Sequence, residues 1–511
     1  MRKTAKRTDT AIIITFVIIA VLIFLSVKAQ HNAPAVQSEQ LPIESYNGKP
    51  LGVQPGSPSE AVVAKRFPDS PLIYFNGFSE LYTALTTKKI DGFVTSEIAL
   101  KQMVRSGLNV TWFPEPLDVR YRYFGFPKTE KGEDLCEQLN ELLEDLKEDG
   151  TMAAMEDIWY GEDESLKIVD DSGLTGENGT LHIGVSAMDE PYNYIKDNRM
   201  TGFNADIVTR FAKRYGYAIE YMDTDPQGLL IGLTTGKFDM LATAISYTEE
   251  RAQSVLFSDP ALEFNNMLAI RQEAVPDRSP TFAESLRESY EKTFVREERW
   301  KLILEGIGTT CLITFSSALL GTALAFAICM FRRTGSSLAN LIADIYVKIL
   351  QGTPMVVLLL ILYYVVFGKS SLTAVWVAVI GFALHFGANN SETLRSGIES
   401  VPHGQREAAL ALGYSENQAF IEFILPQAVR RILPVYRSEV ITLLKGTAIA
   451  GYISVQDLTK MSDIIRGRTY EAFFPLILTA VVYFLLAWLI SLLLTAVMDR
   501  IDSRPKGGKV R

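Results

Sequence analysis

Lys445 lies deep in an apolar segment of this chain, with Glu439 six residues earlier. Ionisable groups in such a segment are costly unless they face a bundle interior or a water-filled path, so the two mark a candidate polar route through apolar surroundings. Pro354, near the start of another apolar segment, removes one backbone hydrogen bond; it either kinks a helix or begins one. Between apolar segments runs a polar stretch from Gly397 to Pro426. Within it Glu407, Ala408, Ala409 and Gly413 give a small-residue helical face with one charge, suited to close packing against another surface. Arg251 follows Thr248-Glu249-Glu250. Thr248 is a good N-cap, so Arg251 is either a surface arginine on the helix it begins or a planar guanidinium able to hold a carboxylate bidentately.

Other chemistry is excluded by what the chain lacks. No G-x-x-x-x-G-K-[S/T] phosphate loop occurs, since Gly236-Lys237 is followed by Phe238 without the required spacing. No G-x-S-x-G or other nucleophile–base motif stands out, so the chain reads as a non-enzyme without a cofactor of its own. Cys136, Cys311 and Cys329 are too few and scattered for a disulfide scaffold or zinc site, and His31, His182, His385 and His403 are equally dispersed. The net charge of −9 gives no support to nucleic-acid binding.

The elements that must position these residues fall into two kinds. Of 511 residues 48% are apolar, yet the mean hydropathy is only +0.12, so a large soluble part accompanies the membrane part. Six apolar segments are legible. The first, about 11–27, follows the basic leader Met1-Arg-Lys-Thr-Ala-Lys-Arg and is either an uncleaved anchor or a signal peptide cut after Ala29, giving a first region of 1–29. The other five, about 304–330, 342–367, 372–392, 435–455 and 474–498, are expected to be helices, because a bilayer leaves no other way to satisfy the backbone. Arg332-Arg333, Arg395, Arg406, Arg430, Arg431, Arg437 and the basic tail 501–511 put the polar stretch and the C-terminus in the cytoplasm of a multi-pass cell-membrane protein, and residues about 30–300 outside. That outer region divides at the acidic, Gly-rich stretch 162–179. On both sides short β-like runs alternate with helix-like runs, which predicts α/β lobes.

Particular motifs in both parts resemble one family. Glu407-Ala408-Ala409 with Gly413 and Pro426 resembles the coupling loop of ABC-importer permeases, the cytoplasmic segment (here 397–430) that docks on a separate ATPase. Gln351-Gly-Thr-Pro354, Ile424-Leu-Pro-Gln-Ala428 and Leu443-Leu-Lys-Gly-Thr447 resemble the polar-amino-acid branch, which implies a five-helix permease domain over 301–500 and a translocation-path or intersubunit role for Lys445. Thr201-Gly-Phe-Asn-Ala-Asp-Ile207, Gly236-Lys-Phe-Asp239 and Phe257-Ser-Asp-Pro260 resemble the first lobe of type II solute-binding proteins, over 180–271. Gly52-Val-Gln-Pro-Gly-Ser-Pro-Ser-Glu60 and Trp159-Tyr-Gly161 resemble the second lobe, over 44–161, with 272–300 as the linker to the permease. The lobes stand in reverse order, read as one circularly permuted binding protein or as two half-modules without a working cleft.

This resemblance implies the binding residues. Arg251 takes the place of the arginine that clamps a ligand α-carboxylate, with Thr243, Ser246 and the Ala244 backbone as further donors and Ser57 as a donor from the other lobe. Ser96 stands where the family has an ammonium-binding Asp, and Asp189 where it has an aromatic, with Tyr192 nearby. Asp189 therefore either takes over the ammonium, selects a cationic side chain, or is a solvated loop acid. The expected function is the receptor-and-permease subunit of an ATP-binding-cassette importer for a polar amino acid. ATP and magnesium would sit on the partner ATPase dimer, and the chain would form a homodimer in a lipid bilayer. The alternative is a ligand-gated channel or membrane sensor, but a channel would need a selectivity filter such as T-V-G-Y-G, which is absent.

Overall fold

The computed structural model describes residues 42–501, apart from 55–56, 76, 198, 225, 246, 248, 273–281, 334–335, 369, 371 and 472. The expected anchor at 1–29, the tail after Ile501 and Ser246 lie outside these residues. The chain divides into two compact units, Met1–Ile303 with Met461–Thr479, and Leu304–Lys460 with Ala480–Arg511.

The first unit is built on strands β1 (Leu51–Val53), β2 (Leu72–Tyr74), β3 (Gly92–Ser96), β4 (Val110–Trp112), β5 (Asp118–Pro127), β6 (Thr180–Val185), β7 (Met188–Asp189), β8 (Asn193–Lys196), β9 (Arg199–Thr201), β10 (Ala218–Asp223), β11 (Met240–Ile245), β12 (Val255–Phe257) and β13 (Leu262–Arg271). Helices α1 (Pro58–Arg66), α2 (Phe78–Thr86), α3 (Glu97–Arg105), α4 (Glu130–Glu148), α5 (Thr151–Tyr160), α6 (Phe203–Tyr215) and α7 (Pro226–Thr234) connect them. The sheet order is β10-β6-β11-β5-β13-β3-β1-β2, with β12 added to β5 and β4 to β13, and β7–β9 form a separate three-stranded sheet.

The two ten-residue strands β5 and β13 organise the unit. They pair antiparallel from Leu262↔Arg122 to Asn266↔Asp118. Beyond that stretch β5 continues against β11 and β12, while β13 continues against β3 and β4. The ribbon is thus shared by two lobes, and the chain crosses between them at these two strands. Buried Leu51, Val53, Val94 and Leu268 fill one lobe. In the other, Leu135, Leu139, Leu143 and Trp159 of α4 and α5 share a core with Ile183, Phe203, Phe211 and Met240.

That core moves the lobe boundary expected at 162–179. Helices α4 and α5, grouped by sequence with the 44–161 lobe, pack in the β6–β12 lobe, and most of β13, grouped with 180–271, belongs with β3. The 162–179 stretch therefore connects elements of a single lobe. The spacing of Leu135, Leu139, Leu142 and Leu146 requires α4 to bury a face but does not say against which sheet.

The second unit contains most of α8 (Trp300–Arg333), then α9 (Ser337–Gly352), α10 (Met355–Leu360), α11 (Ala374–Glu399), α12 (His403–Ala411), α13 (Leu425–Gly446), the start of α14 (Leu458–Thr469) and most of α15 (Phe474–Ile501). Close helix contacts form where side chains are small. A Cβ on Gly321 of α8 would meet the Ala383 carbonyl oxygen of α11 at 2.8 Å, and one on Gly397 of α11 would meet Ile432 of α13 at 2.2 Å. Ser317 Oγ donates to the Val379 carbonyl at 3.1 Å and Tyr346 Oη to that of Leu384 at 2.7 Å, binding α8 and α9 to α11.

The segment expected as one helix over 342–367 is instead broken. Helices α9 and the run from Met355 to Val366 meet at 107°, with Thr353-Pro354 at the corner and Pro354 just before α10. Among the described residues, Trp300–Arg333 and Phe474–Met498 are long and apolar enough to cross a membrane, and the bent pair counts as a third span if taken together. The run expected at 372–392 is helical in α11, whereas that expected at 435–455 leaves α13 at Gly446 and continues as a 3-10 turn over Thr447–Ile453. The polar residues of α11, such as Asn389, Asn390 and Glu392, and of α13, such as Arg430, Arg431 and Arg437, lower their hydropathy.

Candidate functional site

Apart from Ser57, the residues expected to bind a ligand fall into two groups in the first unit. One group gathers where the lobes meet. The first N–H groups of α6 are satisfied by the carbonyls of the preceding loop: Phe203 N donates to Pro191 O and Asn204 N to Tyr192 O, both at 3.0 Å. Gly202, at φ +128°, makes this approach possible, since a Cβ there would lie 2.3 Å from the Tyr192 carbonyl oxygen. Tyr192 is thereby fixed and fully buried.

Arg122, on β5, lies over the Tyr192 ring with its guanidinium carbon 3.4 Å from the ring centroid. Its Nη1 donates to Asp189 Oδ2 at 2.8 Å. Asp189 is therefore not a solvated loop acid: its cation is supplied by the chain itself. Ser96 is buried beside the Tyr192 hydroxyl, and its own Oγ accepts from Ala99 N at 3.2 Å, capping α3. The lobes touch directly here: Gln102 Nε2 donates to Glu190 Oε1 at 3.0 Å, and Arg105 Nη1 to the Gly161 carbonyl at 3.0 Å.

The other group follows β11. Thr243 is buried in that strand, which also carries Ala244, and Arg251 lies on the short helix Glu249–Ala252. Between them Tyr247 packs edge-on against Phe257, with ring centroids 5.3 Å apart. Ser57 belongs to neither group: it precedes α1 in the β1–β4 lobe, and its Oγ is buried and makes no hydrogen bond among the described residues. Asp239, at the end of Gly236-Lys-Phe-Asp239, ties β11 to β6: its Oδ2 accepts from His182 N at 2.8 Å and its Oδ1 from Lys131 Nζ at 2.6 Å. Burial disfavours its charge, but the His182 bonds and the Lys131 ammonium hold its pKa down at about 2.

Three residues were missed by sequence reasoning. Arg122 alternates with Tyr121 and Tyr123 in β5 and looks like an ordinary strand cation. Glu190 precedes a proline and resembles a loop acid, yet it is almost fully buried, and burial raises its pKa while Arg468 pulls it back. Arg468 itself comes from the last turn of the helix Leu458–Thr469, nearly three hundred residues away in sequence. No spacing rule links it to Glu190, whose Oε2 lies 3.6 Å from its Nε. A recess of about 740 Å³ lies beneath the 162–179 stretch, lined by Lys167, Val169, Lys196, Thr201 and Tyr221, and by none of the expected binding residues.

In the second unit, α12 carries the small-residue motif. Ala409 is buried, whereas Glu407 and Ala408 are exposed and Leu412 is 75% exposed. Gly413 takes φ +89° with nothing within 4 Å of where a Cβ would point. The turn is closed by Ser415 and Gln418 in a capping box, and Arg406 Nε donates to Glu416 Oε2 at 2.9 Å. This loop presents an unfilled face with one carboxylate and one apolar side chain. Lys445 is exposed near the end of α13 and Glu439 is half-buried on the same helix. Six residues apart, they occupy different faces.

Residues 317–507 match the family model of the binding-protein-dependent transport system inner membrane component, and 181–401 match that of bacterial extracellular solute-binding proteins, family 3. The probable amino-acid ABC transporter permease protein YckA of Bacillus subtilis is 36% identical over 187 residues, 36% of this chain and 83% of that protein. The chain belongs to the binding-protein-dependent permease family. The permease is also 32% identical to the arginine transport system permease protein ArtQ of Bacillus subtilis over 206 residues, 39% of this chain and 93% of that one. A crystal structure of an amino acid ABC transporter with histidines is 30% identical, with a TM-score of 0.38, and covers 44% of the permease chain and all of its own. The α12 loop described above is thus part of a transporter subunit.

Proposed function

We propose that this chain is the receptor and the permease of an ABC importer for a polar amino acid, carried in one polypeptide. The observation that carries this reading is the joining of two lobes by the shared β5–β13 ribbon in a chain whose other unit is a member of the permease family. Two lobes on two crossing strands can close about a ligand as a hinge. Ligand captured outside the cell passes through the helical unit when a separate ATPase dimer, docked on the α12 loop, hydrolyses ATP. The exposed Glu407, Ala408 and Leu412 support that docking surface. Two copies of this chain on the ATPase dimer make the simplest assembly.

Reconstitution with candidate ATPase subunits tests the reading. Vesicles containing both proteins should take up a radiolabelled polar amino acid only with ATP inside the ATPase-facing compartment. Uptake without ATP or ATPase, or ion conductance on adding the amino acid, would favour a channel.

A further inference from the structure

Segment Arg466–Tyr470, which spans the end of α14 and the residue after it, lies against both lobes of the first unit. Arg466 Nη2 donates to Glu80 Oε1 at 3.3 Å, on α2 of the β1–β4 lobe. Arg468 turns to the other lobe. Its Nη1 donates to the Ile195 carbonyl, its Nη2 to Glu297 Oε1 at 2.9 Å, and its guanidinium carbon stands 4.6 Å from the Tyr194 ring centroid. With Glu190 this makes a cage of two carboxylates, a carbonyl and an aromatic face around one cation, and the Arg468 side chain is only 5% exposed. Tyr470 then returns to the first lobe, where it is buried among Leu81, Leu85, Phe93 and Met103. It does so at φ +54°, a conformation that a bulky residue keeps only when its surroundings hold it. Between them Gly467 is so close to β7 that a Cβ on it would lie 3.3 Å from the Met188 Cβ.

Met188 and Glu190 flank Asp189, and Tyr192 follows. The segment therefore lies beside the group of expected binding residues that gathers between the lobes, where Tyr192 and Ser96 are buried and the Glu190 side chain is only 10% exposed. Glu190 also supplies what sequence reading found missing at Ser96, a buried carboxylate able to hold an ammonium, and Arg468 occupies it.

We propose that Arg466–Tyr470 is an internal competitor of the ligand: its docking between the lobes and occupancy of that site by an amino acid exclude each other. This rests on the amino-acid reading of the preceding section. It follows that ligand capture releases the segment, which is covalently continuous with α15, and that ligand release is assisted by its return.

The test is a cysteine pair in the full-length chain, Met188→Cys with Gly467→Cys, compared with each single variant to account for the native cysteines. The expected Cβ separation is near the 3.5–4.5 Å range of disulfides. Mild oxidation in vesicles should join the pair, seen as two proteolytic fragments held together until reduction. A saturating amino acid found to bind the reduced protein should slow that joining at least about tenfold. The oxidised protein should lose amino-acid binding, restored by dithiothreitol. Failure of the pair to join, with both singles and the reduced pair folded by thermal midpoint, would overturn the docking. A joined protein that binds with unchanged affinity would overturn the competition. If the pair joins but no amino acid in a full panel binds the reduced or the oxidised protein, the competition with an amino acid is refuted together with the amino-acid reading, while the docking stands.

Discussion

Arg251 and Asp239 show how differently two charged residues of the same lobe can be used. Arg251 stands on a short helix after β11, where the resemblance places a carboxylate clamp. Losing one partner of a buried, hydrogen-bonded charge pair costs about 2–5 kcal/mol. Arg251→Ala should therefore weaken amino-acid binding by roughly thirtyfold or more in calorimetry on the full chain, and Arg251→Lys should restore only part, since an ammonium cannot bind bidentately. An unchanged dissociation constant would make Arg251 a surface residue. Asp239 is structural. Its pKa, about 2 in the fold against 3.8 ordinarily, means that the fold favours the charged form. That stabilisation is complete above pH 4 and is lost as the pH falls through about 2, and by linkage it amounts to roughly 2 kcal/mol. Asp239→Asn should lower the thermal midpoint of the first unit at pH 7. The gap from the unchanged protein should shrink towards pH 2, and a gap independent of pH would assign the loss to packing instead.

At the scale of elements, two glycines with positive φ make opposite predictions. Gly202 starts α6 with the Tyr192 carbonyl 2.3 Å from where its Cβ would be, so Gly202→Ala forces backbone apart as well as adopting a strained conformation. It should destabilise the first unit by at least about 2 kcal/mol, an effect of the size that strained φ and unrelieved contact produce. Gly413 has the same kind of φ but open space around it. Gly413→Ala and Gly413→Leu should each cost about 1 kcal/mol of local strain and fold alike. Only the leucine should obstruct an ATPase docked on α12, abolishing ligand-stimulated ATP hydrolysis while amino-acid binding stays the same. Equal hydrolysis in both variants would remove α12 from the coupling surface. Other elements differ from expectation because their partners were not visible. The Pro354 kink is a 107° corner between two helices, and α4 packs on the sheet that follows it.

For the whole molecule, the shared β5–β13 ribbon makes the lobes one thermodynamic object. A ligand held between them at a hundred times its dissociation constant should stabilise both by about 2.7 kcal/mol. Hydrogen exchange should therefore slow together in β3 of one lobe and β11 of the other. Protection confined to one lobe would favour two half-modules over a single cleft.

The division into an apolar helical part and an α/β part was legible from hydropathy and period alone, because burial in a bilayer and burial in a sheet demand different patterns. The motif on which the coupling reading rests was legible because Glu407-Ala-Ala409 and Gly413 are local in sequence. Asp189 and Tyr192 are likewise near neighbours in sequence. What only the tertiary structure decided is who answers those residues. Arg122 reaches Asp189 from β5, and Arg468 reaches Glu190 from another part of the chain. Apolar periodicity records that a face is buried and motif spacing records local chemistry. Neither records which distant cation offsets a buried carboxylate, since that pairing exists only once the strands and helices between them have packed.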